Sequence, residues 1–197
     1  MLNAVREALE SGGYHPRTFS HATELIEQID PDDTGCVVTD LQMPGMNGME
    51  LQQALISKDS SLSLIMLTGY ADVSVAVEVM RRGAVTLLEK PFKVQRLKEE
   101  VRRAVDQSQR FHSEKKRVRD AREAIESLTS EELAVLDCAS RGKPNKAIGY
   151  ELALSGRTVD RRRQSGLRKL NVDSISEFAV IRATAEDKRG VLDQRPR

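Results

Sequence analysis

Residues 36–52 read CVVTDLQMPGMNGMELQ. The first five, apolar and largely β-branched, predict a buried strand ending in an acid, Asp40. After the loop Leu41–Gly48, a helix is expected over Met49–Ser57. The alternation continues on both sides. Upstream, Leu2, Val5, Ala8 and Leu9 at helical spacing predict a helix stopped by Gly12-Gly13. Tyr14–Phe19 is a short extended candidate, and Ser20 is expected to cap a helix through Ile29, closed by Pro31-Asp32-Asp33. Downstream come an apolar strand over Leu62–Thr68, a helix over Asp72–Arg82 ended by Gly83, and a strand over Ala84–Glu89. Lys90-Pro91 then leads into a helix from Val94. Strands alternating with helices specify a parallel sheet covered on both faces.

The 197 residues suffice for two small domains, and the charge divides accordingly. Residues 1–107 hold 11 Lys/Arg against 16 Asp/Glu, and residues 108–197 hold 20 against 14. The net of +1 is therefore the sum of an acidic half and a basic half with different partners. With no Trp, three Tyr and four Phe, the chain lacks stacking platforms for single-stranded nucleic acid. Cys36 and Cys138 form no CxxC pair, which excludes a disulfide framework and a structural zinc site of ordinary spacing. No apolar run approaches the ~18 residues of a membrane span. MLNAVREALESGG lacks a signal peptide's apolar centre, so a cytoplasmic protein with no membrane partner is expected.

In an open α/β sheet, chemistry collects at the carboxyl ends of the strands. Asp40, Thr68 and Lys90 close three predicted strands. A carboxylate can attack a phosphoryl group and hold it as an acyl phosphate, and a hydroxyl and an ammonium can bind its oxygens. Taken singly, Asp40 is equally a turn or capping residue, Thr68 a turn former and Lys90 a solvated side chain.

VTDLQMPGMNGMELQ (38–52), LTGYAD (67–72) and RRGAVTLLEKPF (81–92) together resemble the CheY-like receiver domain of two-component response regulators. The resemblance implies a flavodoxin-like, doubly wound α/β fold over residues 1–106. It implies that Asp40 accepts phosphate from a sensor histidine kinase, with Thr68 binding the phosphoryl group and Lys90 pairing with it across a cis Lys90-Pro91 bond. Mg2+ would sit against Asp40 and the Gln42 backbone carbonyl. Such a receiver is not an enzyme acting on a separate substrate. Leu87 stands where the family carries its switch aromatic. The family also opens on an apolar strand ending in acids that hold Mg2+. This chain opens inside the following helix, with Glu7 and Glu10 at helix positions, so the first strand and the acidic pair are absent. The expectation is that Met1 is an internal methionine of a longer natural product; the rival is a truncated regulator working without phosphorylation.

Residues 107–126, dense in charge and free of Pro and Gly, are expected to continue the preceding helix as a solvated linker. From Leu128 the pattern is helical, with breaks near Gly142-Lys143-Pro144 and Ser155-Gly156, and residues 186–197 read as a frayed tail. Arg157–Lys169 holds Arg157, Arg161, Arg162, Arg163, Arg168 and Lys169 against one acid, Asp160. Arg161, Gln164 and Arg168 share one face, while Val159, Leu167 and Leu170 turn to the other. Such a helix suits the major groove, where Arg reads guanine and Gln adenine; charge alone equally fits a solvated basic helix.

LTSEELAVLDCASRGKPNKAIGYELALSGRTVDRRR (128–163) with LRKLNVDS (167–174) resembles the LuxR/FixJ-type helix-turn-helix. The resemblance implies an all-α DNA-binding domain over 127–185. By position, Asp160, Arg161 and Gln164 would face bases, and Lys146, Arg157, Thr158, Arg163 and Lys169 would meet phosphates. Asn171 fills the usual glycine position after the helix. Arg162 replaces a common histidine, and Gly156 stands where a Pro is usual. Gly166 replaces an aliphatic residue, at roughly 1 kcal/mol in a helix interior.

The expected function is a response regulator and transcription factor, phosphorylated on Asp40, dimerising on phosphorylation and binding DNA, with RNA polymerase as a further partner. The alternatives are a phosphorylation-independent DNA-binding regulator with a degenerate receiver, and a phosphoryl sink or adaptor without DNA binding. A metabolic α/β enzyme lacks support, since no Gly-rich phosphate loop or catalytic His or Cys constellation is present.

Overall fold

The computed structural model describes residues 2–69 and 86–187. The helix expected over Asp72–Arg82, Gly83 and the start of the strand expected from Ala84 lie outside the described residues, as does the tail from 188. The chain divides into two compact units, one ending at Ser113 and one beginning at Glu114.

The first unit runs α1 (Leu2–Glu10), α2 (Ala22–Gln28), β1 (Cys36–Asp40), α3 (Gly48–Ser57), β2 (Ser63–Thr68), β3 (Thr86–Glu89) and the start of α4 (Val94–Glu126). The strands form a parallel sheet in the order β1-β2-β3. Every residue of the central strand β2 is buried. Its side chains alternate between faces, as the two-residue period of a strand requires. Ile65 and Leu67 join Leu9, Leu88, Leu97, Val101 and Ala104 on one face, under α1 and α4. Leu64 and Met66 join Leu51 and Leu55 on the other, under α3, with Leu25 and Ile26 of α2 packed against them. Two filled faces make the sheet doubly wound, as the alternation of elements predicts.

Local signals account for most element ends. Asn47 caps α3 in a reciprocal capping box with Glu50, which starts the helix at Gly48. Tyr14–Phe19 joins no ladder, because among the described residues no strand lies beside it. Ser20 is not a cap either. His21 holds the N-cap position of α2 without capping a backbone N–H through its side chain, and the Ser20 N–H donates to Glu24 Oε2 at 3.2 Å.

The expected linker is helical but not solvated all round, since Ser108, Phe111, Val118, Ala121 and Ile125 are buried. Ser108 ties α4 to the amino ends of two strands. Its hydroxyl accepts from the Gly35 N–H at 2.9 Å and donates to the Ser61 carbonyl at 2.7 Å.

The second unit continues through α5 (Ser130–Ser140), α6 (Asn145–Leu152), α7 (Gly156–Lys169) and α8 (Ile175–Glu186). Leu136 and Phe178, both fully buried, centre one core cluster, and Val135, Ile148 and Val159 centre another. Asn171 takes φ 53°, the left-handed conformation that Asn tolerates after a helix. Gly166 has a packing reason. A Cβ there would lie 2.7 Å from Leu136 Cδ1 and 3.6 Å from Glu132 Cβ, so a larger residue requires the buried Leu136 side chain to shift.

At that crossing the Glu132 carboxylate is buried, at 2% exposure. It accepts from Lys169 Nζ and the Thr129 N–H at 2.8 Å, and from Ser165 Oγ at 2.7 Å. Burial alone raises the pKa of this carboxyl, but the Lys169, Thr129 and Ser165 bonds outweigh it and hold it down at about 2.

Two expectations follow. Ser108→Ala leaves the Gly35 N–H and Ser61 carbonyl without their shared partner, which costs about 1–3 kcal/mol in urea unfolding of the first unit. For Glu132, a folded pKa below the ordinary 4.5 stabilises the fold above pH 4.5, and that stability is lost as pH falls toward 2. Acid unfolding of Glu132→Gln should lack this loss, about 3 kcal/mol in the wild type.

Candidate functional site

The strand register assembles the first candidate site. Asp40 pairs with Leu67, and Thr68 with Glu89, so the three carboxyl ends lie side by side. Hydrogen bonding continues one residue past the ladder, from the Leu41 N–H to the Leu67 carbonyl at 2.7 Å and from the Lys90 N–H to the Thr68 carbonyl at 2.8 Å. Those bonds hold the backbones of Leu41 and Lys90 in line with their strands, and the Lys90-Pro91 peptide bond is cis.

Lys90 Nζ donates to Asp40 Oδ2 at 2.5 Å, with each side chain 25% exposed. Asp40 Oδ1 accepts from the Gln42 N–H at 3.3 Å. Thr68, at 5% exposure, ends the strand between them. The loop after β1 folds back so tightly that a Cβ on Gly48 would meet the Asp40 carbonyl at 2.8 Å. Only glycine admits that approach, which sets the start of α3 against the strand end carrying the acid. A partly exposed carboxylate beside an ammonium is a nucleophile whose added negative charge already has a counter-ion. Leu87, paired with Met66, packs on the α3 side of the sheet. The Cys36 thiol, pushed by burial up to about 12, stays protonated and takes no part.

The second candidate site is the outer surface of α7. Ser155 caps the helix, accepting from the Thr158 N–H at 3.2 Å, while the Ser155 and Thr158 hydroxyls lie 2.8 Å apart. Val159 and Gly166 are buried, and Arg157, Arg161, Gln164 and Arg168 are exposed. Spaced i, i+4, i+7 and i+11, these four form one stripe along the helix. Lys146, beside the start of α6, is exposed as well.

The remaining charged residues of α7 have partners within the unit. Arg162 pairs with Glu131 and Lys169 with the buried Glu132. Asn145 Nδ2 donates to Asp160 Oδ1 at 2.5 Å, and Arg163 lies 3.7 Å from the same oxygen and 3.5 Å from Asn145 Oδ1. Asn145, Glu132 and Ser165 escape a search for exposed charge, although the spacing Thr129-x-x-Glu132 carries a capping-box signal in the sequence. Among the described residues no helix is long and apolar enough to cross a membrane.

Comparison with known proteins finds matches across both units. Residues 1–102 match the response regulator receiver domain, and residues 126–182 match the bacterial regulatory proteins of the luxR family. The chain is 37% identical over 184 residues to the transcriptional regulatory protein FixJ of Azorhizobium caulinodans, covering 89% of this chain and 85% of that protein. It is 32% identical over 189 residues to the response regulator protein TodT of Pseudomonas putida, covering 94% and 83%. Among solved structures, the response regulator StyR superposes with a TM-score of 0.84 at 30% identity, over 93% of this chain and 92% of that one. A receiver match over residues 1–102, a luxR-family match over residues 126–182 and full-length similarity to FixJ place this chain in the family of two-component response regulators with a LuxR-type DNA-binding domain.

Proposed function

We propose that Asp40 is the phosphoryl acceptor of this receiver, that a sensor histidine kinase supplies the group, and that phosphorylation promotes a homodimer whose α7 helices bind DNA. The observation that carries the reading is the 2.5 Å pair between Asp40 and Lys90 at the carboxyl edge of the sheet. An Asp40 oxygen attacks the phosphorus of a phosphohistidine. The new O–P bond forms as the N–P bond breaks, and its electron pair returns to the imidazole. Lys90 then faces a phosphoryl group instead of a bare carboxylate, and the Thr68 hydroxyl is the donor placed for its oxygens.

Receiver domains generally bind Mg2+ for this step. The donor set here falls short of such a site. Among the described residues no three His, Cys, Asp or Glu cluster, and Asp40 Oδ2 already faces Lys90. Mg2+ demands near-octahedral oxygen coordination, which Asp40 and the Gln42 carbonyl do not supply. Lys90 is the cation that these residues bring to the phosphoryl charge. Leu87 at the switch position favours the second reading, a DNA-binding regulator that acts without phosphorylation.

On α7, Arg161 and Gln164 are the base readers and Arg157, Thr158 and Arg168 the phosphate contacts, joined by Lys146 of α6. Arg163 and Lys169 retain N–H donors for phosphates beyond their internal partners. The chain acts as a cytoplasmic transcription regulator that works with RNA polymerase rather than as an enzyme on a separate substrate.

Acetyl phosphate should raise the dimer fraction of the wild type in sedimentation, and Asp40→Asn should not respond. Equal DNA footprints with and without the phosphodonor, in both proteins, would decide for the second reading. In salt titrations of DNA binding, Arg157→Ala and Arg168→Ala should each flatten the slope of log K against log salt by about 1. Arg162→Ala, whose guanidinium faces Glu131, should leave the slope unchanged.

A further inference from the structure

We infer that Asp160 does not read a base but positions the DNA-contacting surface, clasping the start of α6 to α7 through Asn145 and Arg163; this rests on the DNA-binding reading above. A base-reading carboxylate must be turned so that an oxygen meets a cytosine amino group. The orientation of the Asp160 carboxylate is instead set from within the protein, through Oδ1. That oxygen accepts from Asn145 Nδ2 at 2.5 Å and faces Arg163 Nη2 at 3.7 Å. Arg163 Nη1 reaches the other end of the same amide, Asn145 Oδ1, at 3.5 Å, so the three side chains close a ring.

The ring joins two helices that otherwise meet through the apolar cluster of Ile148 and Val159. Apolar packing is non-directional and permits sliding, whereas directional bonds fix a register. Asn145 is the first residue of α6, and exposed Lys146 follows it. The clasp therefore sets how far Lys146 stands from the stripe of Arg157, Arg161, Gln164 and Arg168. It also answers a charge problem. A lone carboxylate facing a phosphate-lined groove is repelled, and Arg163 neutralises it locally. Asp160 is thus a positioning residue, and base preference belongs to Arg161 and Gln164.

The full-length chain is first used to select duplexes from a randomised pool. Binding is then measured to the selected duplex and its single-base-pair variants, for the wild type and four mutants. Asp160→Ala should weaken binding about tenfold, by the same factor for every duplex, leaving the ranking of base pairs unchanged. Asp160→Asn, whose amide oxygen still accepts from Asn145, should recover most of that loss. Asn145→Ala should resemble Asp160→Ala, and the double variant should be no weaker than either. A changed preference at one base pair in Asp160→Ala, with the wild type selecting a clear sequence, overturns the inference and leaves the DNA-binding reading standing. A wild type that selects no sequence overturns that reading, and the inference with it.

Discussion

The first unit depends on the double pairing of β2. Hydrogen-bonded on both sides and buried at each of its positions, this strand cannot shift its register without exchanging its two apolar faces. Ile65 and Leu67 would leave the core under α1 and α4, and Leu64 and Met66 the core under α3. The same register fixes the chemistry. It sets Thr68 between Asp40 and Lys90, so the geometry of a partly exposed polar site is held by apolar burial beneath it. A catalytic or signalling acid on the surface of a flexible loop would have no such reference frame.

Most of this frame was legible in the sequence because strand composition, helix period and turn residues agreed with one another. Cys36–Asp40 and the three polar strand ends needed only the alternation of elements. What was not legible depended on neighbours. Tyr14–Phe19 has the composition of a strand, but a ladder requires a second backbone. Ser20 has the chemistry of a cap, yet the helix opens one residue after His21. Ser108 looks like an ordinary polar residue in a charged helix, and its role appears only when Gly35 and Ser61, far away in sequence, come to either side of its hydroxyl.

The DNA-facing residues divide in the same way. Helical spacing alone groups Arg161, Gln164 and Arg168, and the fold adds Arg157 to their exposed stripe. Spacing does not distinguish Asp160 from a base reader, since its partner Asn145 sits on another helix. Gly166 is subtler. From helix propensity it is a weakness of roughly 1 kcal/mol, but the Leu136 side chain occupies the space a Cβ would need. A residue that lowers local propensity thereby leaves room for the Leu136 side chain beside the buried Glu132.

That burial explains how a helix so rich in arginine stays folded before any nucleic acid neutralises it. Adjacent guanidinium groups at Arg161, Arg162 and Arg163 repel one another, and unpaired they favour an extended chain. The acids of the second unit lie where they relieve this strain without masking the outer surface. Glu131 takes Arg162, Glu132 takes Lys169, and Asp160 takes Arg163. Of the basic residues of α7, the three that no acid of the unit takes up, Arg157, Arg161 and Arg168, all stand on the exposed stripe. Charge is therefore sorted by depth. A near-zero net charge for the whole chain says little about nucleic-acid binding, because half of the basic helix is neutralised from within and the other half is left to the solvent side.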